Sequence, residues 1–221
     1  MRNPLSLILI FCLSSLMLAC GTSSDSEEES KQTNPKTASE DFATRLDLAL
    51  AQKKDWYAHW TEQAGKFDAS AFELVFKDSL DGFEMPEKNP ILESDPLFPY
   101  QLQHPAGNGA VDIYSYKVEA QDEFGNPYLN PDSEVTWYKA DGMKERLLFM
   151  GPSGMFEDGM WLNENELLIL GYLQEEEGFR PMVWLIDVSQ HLIWQYRMTQ
   201  TFPEYEPMSF IDQKIRPLDL K

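Results

Sequence analysis

Acidic side chains at predicted turns are the residues of this sequence best suited to chemistry. They are Asp132, Glu134, Glu157, Asp158, Glu164 and Glu166. Carboxylate oxygens bind Ca²⁺, and two carboxyl groups about 5–9.5 Å apart can hydrolyse a glycosidic bond. None of the groups has the spacing of an EF-hand loop, and acidic turns are common in so acidic a chain. We therefore expect no metal ion and no cofactor, and the sequence assigns no catalytic residue.

Other catalytic patterns are incomplete. The stretch from Gly151 to Met155 is similar to the G-x-S-x-G turn of hydrolases, but Met155 stands where the second glycine belongs. No predicted helix follows Ser153, which such a turn requires. His59, His104 and His191 are far apart and lack the spacing of a zinc hydrolase. Enzymatic activity is therefore not predicted, although it stays an alternative.

Cys20 is the residue with the clearest role. A run of about 14 apolar residues ends in Ala19-Cys20, and Gly21 follows. This arrangement resembles the signal peptide of a bacterial lipoprotein, although Met17 and Leu18 differ from its usual leucine and smaller residue. The resemblance implies cleavage after residue 19 and a lipid, such as palmitate, on Cys20. The run is shorter than the roughly 20 residues that span a bilayer.

Cysteine usage agrees with this interpretation. The chain has two cysteines, and cleavage would remove Cys12 while the lipid occupied Cys20. No thiol would remain for a disulfide, a metal or a nucleophile. The domain must then be stabilised by its core alone.

Residues 20–38 are predicted to form a disordered acidic tether. They contain no aromatic or β-branched aliphatic residue, so they cannot bury enough surface to offset their ordering entropy. The acidic cluster at residues 25–29 is similar to the export tether of surface-exposed lipoproteins, and a simple solvated spacer is the alternative. Gly21, in place of an inner-membrane Asp signal, favours the outer membrane.

The charge balance limits the partners. The chain has 18 basic and 37 acidic residues, with a formal charge of −19. Nucleic-acid binding needs clustered Lys and Arg, and the sequence has no such cluster. We expect contact with the membrane through the N-terminal lipid, an unknown protein or glycan as partner, and no nucleic acid.

One amphipathic helix is predicted over residues 39–66. Ser39 can cap it and Gly65 can end it. Its apolar residues recur at the spacing of one helical face: Phe42, Leu46, Ala49, Leu50, Tyr57, Trp60 and Ala64. The aromatic cluster around Trp56 and Trp60 could stack on a sugar, but this spacing favours packing of the helix against a sheet.

Strands are predicted from residue 72 onward. The candidate segments are 72–76, 111–118, 135–139, 146–150, 159–162, 167–173, 181–188 and 192–198. Asp141-Gly142 indicates a hairpin, and five prolines make residues 85–109 irregular. The runs at 167–170 and 182–186 lack polar alternation, which indicates strands covered on both faces. Residues 39–221 thus form a single mainly β (α+β) domain, an antiparallel meander or two packed sheets with one N-terminal helix.

Part of this domain resembles a β-propeller blade. Residues 155–198 contain four short strands in sequence order, and residues 111–150 could form a second, less regular unit. A propeller needs at least about four blades, and this chain has room for two or three. A closed propeller is therefore not expected.

The sequence is compatible with two functions. The first is a membrane-anchored lipoprotein of the bacterial cell envelope with a non-catalytic binding or assembly domain. The alternative is a carboxylate-dependent hydrolase that acts on extracellular polymers. The second requires a concave pocket with two facing acids, one of them with a raised pKa.

Overall fold

A computed structural model describes residues 35–205 and 209–220. Strands account for 41% of the described structure and helices for 20%, which makes it mainly β. The helices are α1 (Pro35–Gln52), α2 (Lys54–Ala64) and α3 (Phe210–Ile215). The strands are β1 (Phe72–Ser79), β2 (Glu84–Pro86), β3 (Leu102–Gln103), β4 (Ala110–Asp112), β5 (Val118–Gln121), β6 (Pro127–Leu129), β7 (Ser133–Tyr138), β8 (Met143–Met150), β9 (Gly154–Trp161), β10 (Glu166–Glu175), β11 (Gly178–Asp187) and β12 (Leu192–Met198).

Sheet A is the larger part of the core. It has the order β1-β12-β11-β10-β9 and is antiparallel throughout, so β9 to β12 form the predicted meander and β1 joins its outer edge. Residues 167–170 of β10 and 182–186 of β11 are buried, which confirms that both faces of these strands are covered. Trp184 keeps only 4% of its surface exposed.

Sheet B has the order β2-β8-β7-β4-β3 and contacts sheet A along β9. The predicted Asp141-Gly142 hairpin joins β7 and β8, and Gly142 has a φ of 88°. Strands β5 and β6 form a separate two-stranded sheet. The second blade-like unit at residues 111–150 is therefore divided between two sheets.

The helical prediction was partly wrong. Two helices replace the single helix at 39–66, because Lys53 has a non-helical backbone with φ −88° and ψ 52°. Neither Gly nor Pro marks this break in the sequence. Helix α1 begins at Pro35, so residues 35–38, assigned to the tether, are helical; the rest of the tether lies outside the described residues. Helix α2 ends at Ala64 before Gly65, as predicted.

The predicted strand at 111–118 was also wrong. It stops after Asp112, whose carboxylate accepts hydrogen bonds from the backbone N–H groups of Tyr114 and Ser115 at 3.1 and 3.2 Å. Such a local turn competes with strand pairing. This turn carries the Tyr114 side chain to the middle of β9, where its hydroxyl donates to the carbonyl oxygen of Glu157 at 2.8 Å.

Candidate functional site

A β-bulge in β9 places two consecutive carboxylates on the helical side of sheet A. Asp158 pairs with Leu170 and Phe156 pairs with Gly171, so Glu157 is the extra residue of the bulge. Neighbouring residues of a regular strand face opposite sides of the sheet, and a bulge re-aims one of them. As a result, both Glu157 and Asp158 bind side chains from the helices and the C-terminal segment.

Glu157 lies in a closed aromatic environment. Its side chain is fully buried. The indole N–H groups of Trp56 and Trp60 donate to its Oε2 at 2.8 and 3.0 Å, and the hydroxyl of Tyr205 donates to its Oε1. Trp56 and Trp60 are four residues apart on α2, so both indoles reach the same carboxylate. The predicted packing of this aromatic cluster against the sheet is confirmed.

Burial raises the pKa of Glu157 from 4.5 to about 7. The cause is loss of water around the charged form, and the nearby charge of Asp158 adds to it. The hydrogen bonds from Tyr205, Trp60 and Trp56 favour the charged form and offset part of this effect. The same burial, together with the charge of Glu157, raises the pKa of Tyr205.

A chain of hydrogen bonds leads from this carboxylate to the surface. The Tyr205 hydroxyl lies 3.1 Å from Nε2 of His59, and Nδ1 of His59 lies 3.3 Å from the amide nitrogen of Gln213. The backbone N–H of Phe210 also donates to the Tyr205 hydroxyl at 3.2 Å. Since Gln213 and Phe210 belong to α3, this chain connects the bulge in β9 with the C-terminal helix.

Asp158 binds two lysines. Its Oδ1 accepts from Nζ of Lys53 at 3.0 Å and from Nζ of Lys214 at 3.3 Å. The Asp158 side chain is 7% exposed, whereas the two lysine side chains are 20% and 22% exposed. The break between α1 and α2 lies at Lys53, and α3 contributes Lys214.

The Lys214 ammonium is surrounded by aromatic rings. Its Nζ lies 4.8 Å from the ring centre of Tyr114, 5.2 Å from that of Phe210 and 5.5 Å from that of Tyr100. It also donates to the Tyr114 hydroxyl at 2.6 Å. Burial lowers the pKa of Lys214, and the opposite charge of Asp158 offsets part of that shift.

The Lys214 side chain lines a cleft of about 350 Å³. We call it the Lys214 cleft, and its lining residues are Asp55, Tyr100, Phe210, Gln213, Lys214 and Pro217. Ligand sites in proteins typically measure about 300–1,000 Å³ and combine apolar walls with a few polar groups. Aromatic walls, an ammonium group and a carboxylate give this cleft the composition of a small ligand site.

The acidic residues singled out in the sequence have different surroundings. The prediction that Glu157 and Asp158 lie at a turn was wrong. Both lie in strand β9, which begins at Gly154. Glu134 likewise lies in β7, and Glu166 pairs with Arg45. In the part of the chain that the structure describes, no group of three acidic, His or Cys residues could hold a metal ion.

The remaining predicted features also have defined places. The turn from Gly151 leads into strand β9, and no helix follows Ser153. His104 stacks on Trp137 at 5.5 Å and is far in sequence from His59. Cys20 lies outside the described residues. Among the described helices, none is long and apolar enough to cross a membrane.

Sequence analysis did not identify four residues of this site: Lys53, Tyr114, Tyr205 and Lys214. They come from four separate segments, and neither charge patterning nor motif spacing distinguishes the two lysines from the others. Comparisons with protein-family models, with curated proteins and with solved structures found no match to this chain. Its function must therefore be inferred from the Lys214 cleft and the residues behind it.

Proposed function

We propose that this chain is a lipid-anchored protein of the bacterial cell envelope whose domain binds a ligand in the Lys214 cleft. The observation that carries the binding function is the cleft itself, with Tyr100 and Phe210 as walls and the Lys214 ammonium between them. Its volume suits a small molecule, or one residue of a protein or glycan partner. The anchor is supported by the sequence around Cys20.

The carboxylate-dependent hydrolase is less well supported. Glu157 has the raised pKa that a general acid needs, but its side chain is fully buried behind Trp56 and Tyr205. Asp55 is the one carboxylate among the residues that line the Lys214 cleft. Two facing acids in one pocket would favour hydrolysis, and these positions favour binding instead.

The binding function can be tested by thermal shift of the full-length protein against a library of sugars, amino acids, peptides, nucleosides and fatty acids. A ligand of the cleft should raise the Tm of the wild type and much less that of Tyr100→Ala, which loses one wall. Phe83→Ala is the matched control, because Phe83 lines a different cavity beside Arg146. The proposal fails if no compound raises the Tm, or if the Tyr100 and Phe83 variants respond alike.

The anchor needs a separate test. Cys20→Ala should abolish metabolic labelling with an alkyne-bearing palmitate in a Gram-negative host, because the acylated thiol is gone. Cys12→Ala removes the other cysteine and should leave labelling unchanged. Labelling that persists in Cys20→Ala would contradict the lipid anchor. The binding function would still be tested by the thermal-shift experiment.

A further inference from the structure

The Lys214 ammonium has a hydrogen-bond donor available for a ligand. A lysine ammonium has three N–H donors, and among the described residues two of them are used, by Tyr114 at 2.6 Å and Asp158 at 3.3 Å. The side chain lines the cleft and is 22% exposed. The third donor can therefore reach an acceptor in the cleft without breaking either existing bond.

The charges behind the cleft favour an anionic group at this point. Lys53 and Lys214 share a single oxygen of Asp158, so this carboxylate is divided between two ammonium groups. A carboxylate on the ligand would bind the remaining Lys214 donor through a charge-assisted hydrogen bond, which is stronger than a neutral one. The pKa of Lys214 is lowered by burial, and an added negative charge would offset that effect.

The aromatic walls define the part of the ligand next to this group. The ring centres of Tyr100 and Phe210 lie 5.5 and 5.2 Å from the Lys214 nitrogen, and both residues line the cleft. A carboxylate bound to Lys214 therefore places the adjoining carbon atoms beside two rings. An aromatic or branched apolar group would bury surface there.

Asp55 supplies the opposite charge at the exposed side of the cleft. It is in the first turn of α2 and lines the cleft, and its negative charge favours the charged form of Lys214. A simple anion would be repelled by Asp55 and by the formal charge of −19 of the whole chain. A neutral zwitterion avoids both penalties, because its ammonium can face Asp55 while its carboxylate faces Lys214.

We propose that the Lys214 cleft binds a small zwitterion, of the size of an amino acid or dipeptide, with an aromatic or branched apolar side chain. This inference rests on the proposed binding function and names the class of ligand. Its carboxylate binds Lys214, its apolar group lies between Tyr100 and Phe210, and its ammonium binds Asp55.

Three probes that differ by one charged group test this assignment. Phenylalanine carries both charges, 3-phenylpropionate keeps only the carboxylate, and 2-phenylethylamine keeps only the ammonium. Isothermal titration calorimetry of the full-length protein should give the tightest binding for phenylalanine. Removing either charge should weaken binding about tenfold, as expected for the loss of one charge-assisted hydrogen bond.

Two variants should each remove the contribution of one charged group of the ligand to the binding affinity. Lys214→Met should weaken phenylalanine about tenfold and leave 2-phenylethylamine unchanged. Asp55→Asn should weaken phenylalanine and leave 3-phenylpropionate unchanged or tighter. The matched controls are Lys144→Met and Asp81→Asn, which remove the same charges from the cavity beside Phe83 and should bind all three probes like the wild type.

The results distinguish a wrong assignment of the ligand class from a wrong proposal that the cleft binds a ligand. If 3-phenylpropionate binds as tightly as phenylalanine in the wild type, or if Lys214→Met has no effect, the zwitterion assignment is wrong. If none of the probes binds while library compounds stabilise the wild type more than Tyr100→Ala, the assignment is also wrong and the binding function stands. If neither set binds, both proposals fail.

Discussion

Glu157 and Asp158 are adjacent in the sequence and lie in two different environments. Glu157 is fully buried and receives hydrogen bonds from the neutral donors Trp56, Trp60 and Tyr205. Asp158 binds two lysines whose side chains are each about one-fifth exposed. One β-bulge therefore directs one carboxylate into a closed aromatic core and the next toward the lysines behind the Lys214 cleft.

The two carboxylates should therefore differ most in their contribution to stability. Loss of Glu157 leaves two buried indole N–H groups and one hydroxyl without their acceptor, and an unsatisfied buried donor costs about 1–3 kcal/mol. Glu157→Ala should lower the free energy of unfolding by about 3–4 kcal/mol in urea titrations at mildly acid pH. Glu157→Gln keeps an acceptor oxygen and should lose less. Equal losses for the two variants would contradict this role.

The raised pKa of Glu157 predicts that the stability of the protein depends on pH. Its carboxyl has a pKa of about 7 in the folded protein against 4.5 for the ordinary group, so the folded state holds a proton that the unfolded chain has released. The stabilisation is full below about pH 4.5 and is lost as the pH rises through about 7. It amounts to about 3 kcal/mol.

Urea titrations across this range measure that effect. The free energy of unfolding of the wild type, minus that of Glu157→Gln, should fall as the pH rises, because glutamine does not titrate. Asp158→Asn retains Glu157 but removes a nearby negative charge that raises its pKa, so the fall should persist and be smaller than in the wild type. If the difference in unfolding free energy between the wild type and Glu157→Gln does not change with pH, the pKa of Glu157 is not raised.

Asp158 should contribute less than Glu157 to stability. Asp158→Asn leaves Lys53 and Lys214 without their shared carboxylate, but water reaches both ammonium groups. We expect a loss of about 1–2 kcal/mol, between the values for exposed and buried ion pairs. Urea titration at neutral pH measures it. A loss as large as that of Glu157→Ala would show that the charged side is part of the core.

Lys214 should have the smallest effect on stability. Lys214→Met keeps an apolar stem among the rings of Tyr100, Tyr114 and Phe210, and it removes a partly exposed charge. The free energy of unfolding should change by less than about 1 kcal/mol. A much larger loss, seen by the same titration, would assign Lys214 to the scaffold and weaken the case for a ligand.

Local patterns in the sequence predicted much of the fold. The apolar runs in β10 and β11 are buried on both faces, and Asp141-Gly142 forms the predicted hairpin. The spacing of Trp56 and Trp60 correctly indicated packing against the sheet. These features depend on residue types within a few positions of each other, so the sequence alone is sufficient to find them.

The candidate site depended on features without a local pattern. The break at Lys53 contains no Gly or Pro, and the bulge at Glu157 looks in the sequence like an ordinary acidic turn. The turn at Asp112 interrupted a segment whose residues suit a strand. In each case a specific side-chain contact or strand pairing overrides the local preference, and such contacts form between distant segments.

The mainly β character, the order of the meander and the buried helix face follow from the sequence by itself, because alternation and apolar runs decide which surfaces must be covered. The cleft was decided by the tertiary structure alone. Lys53, Tyr100, Asp158 and Lys214 come from segments up to 161 residues apart, and they meet because a bulge in β9 turns its acids toward α2, α3 and the junction at Lys53. The charge and burial of this site arise from contacts between distant segments, so no single segment of the sequence contains them.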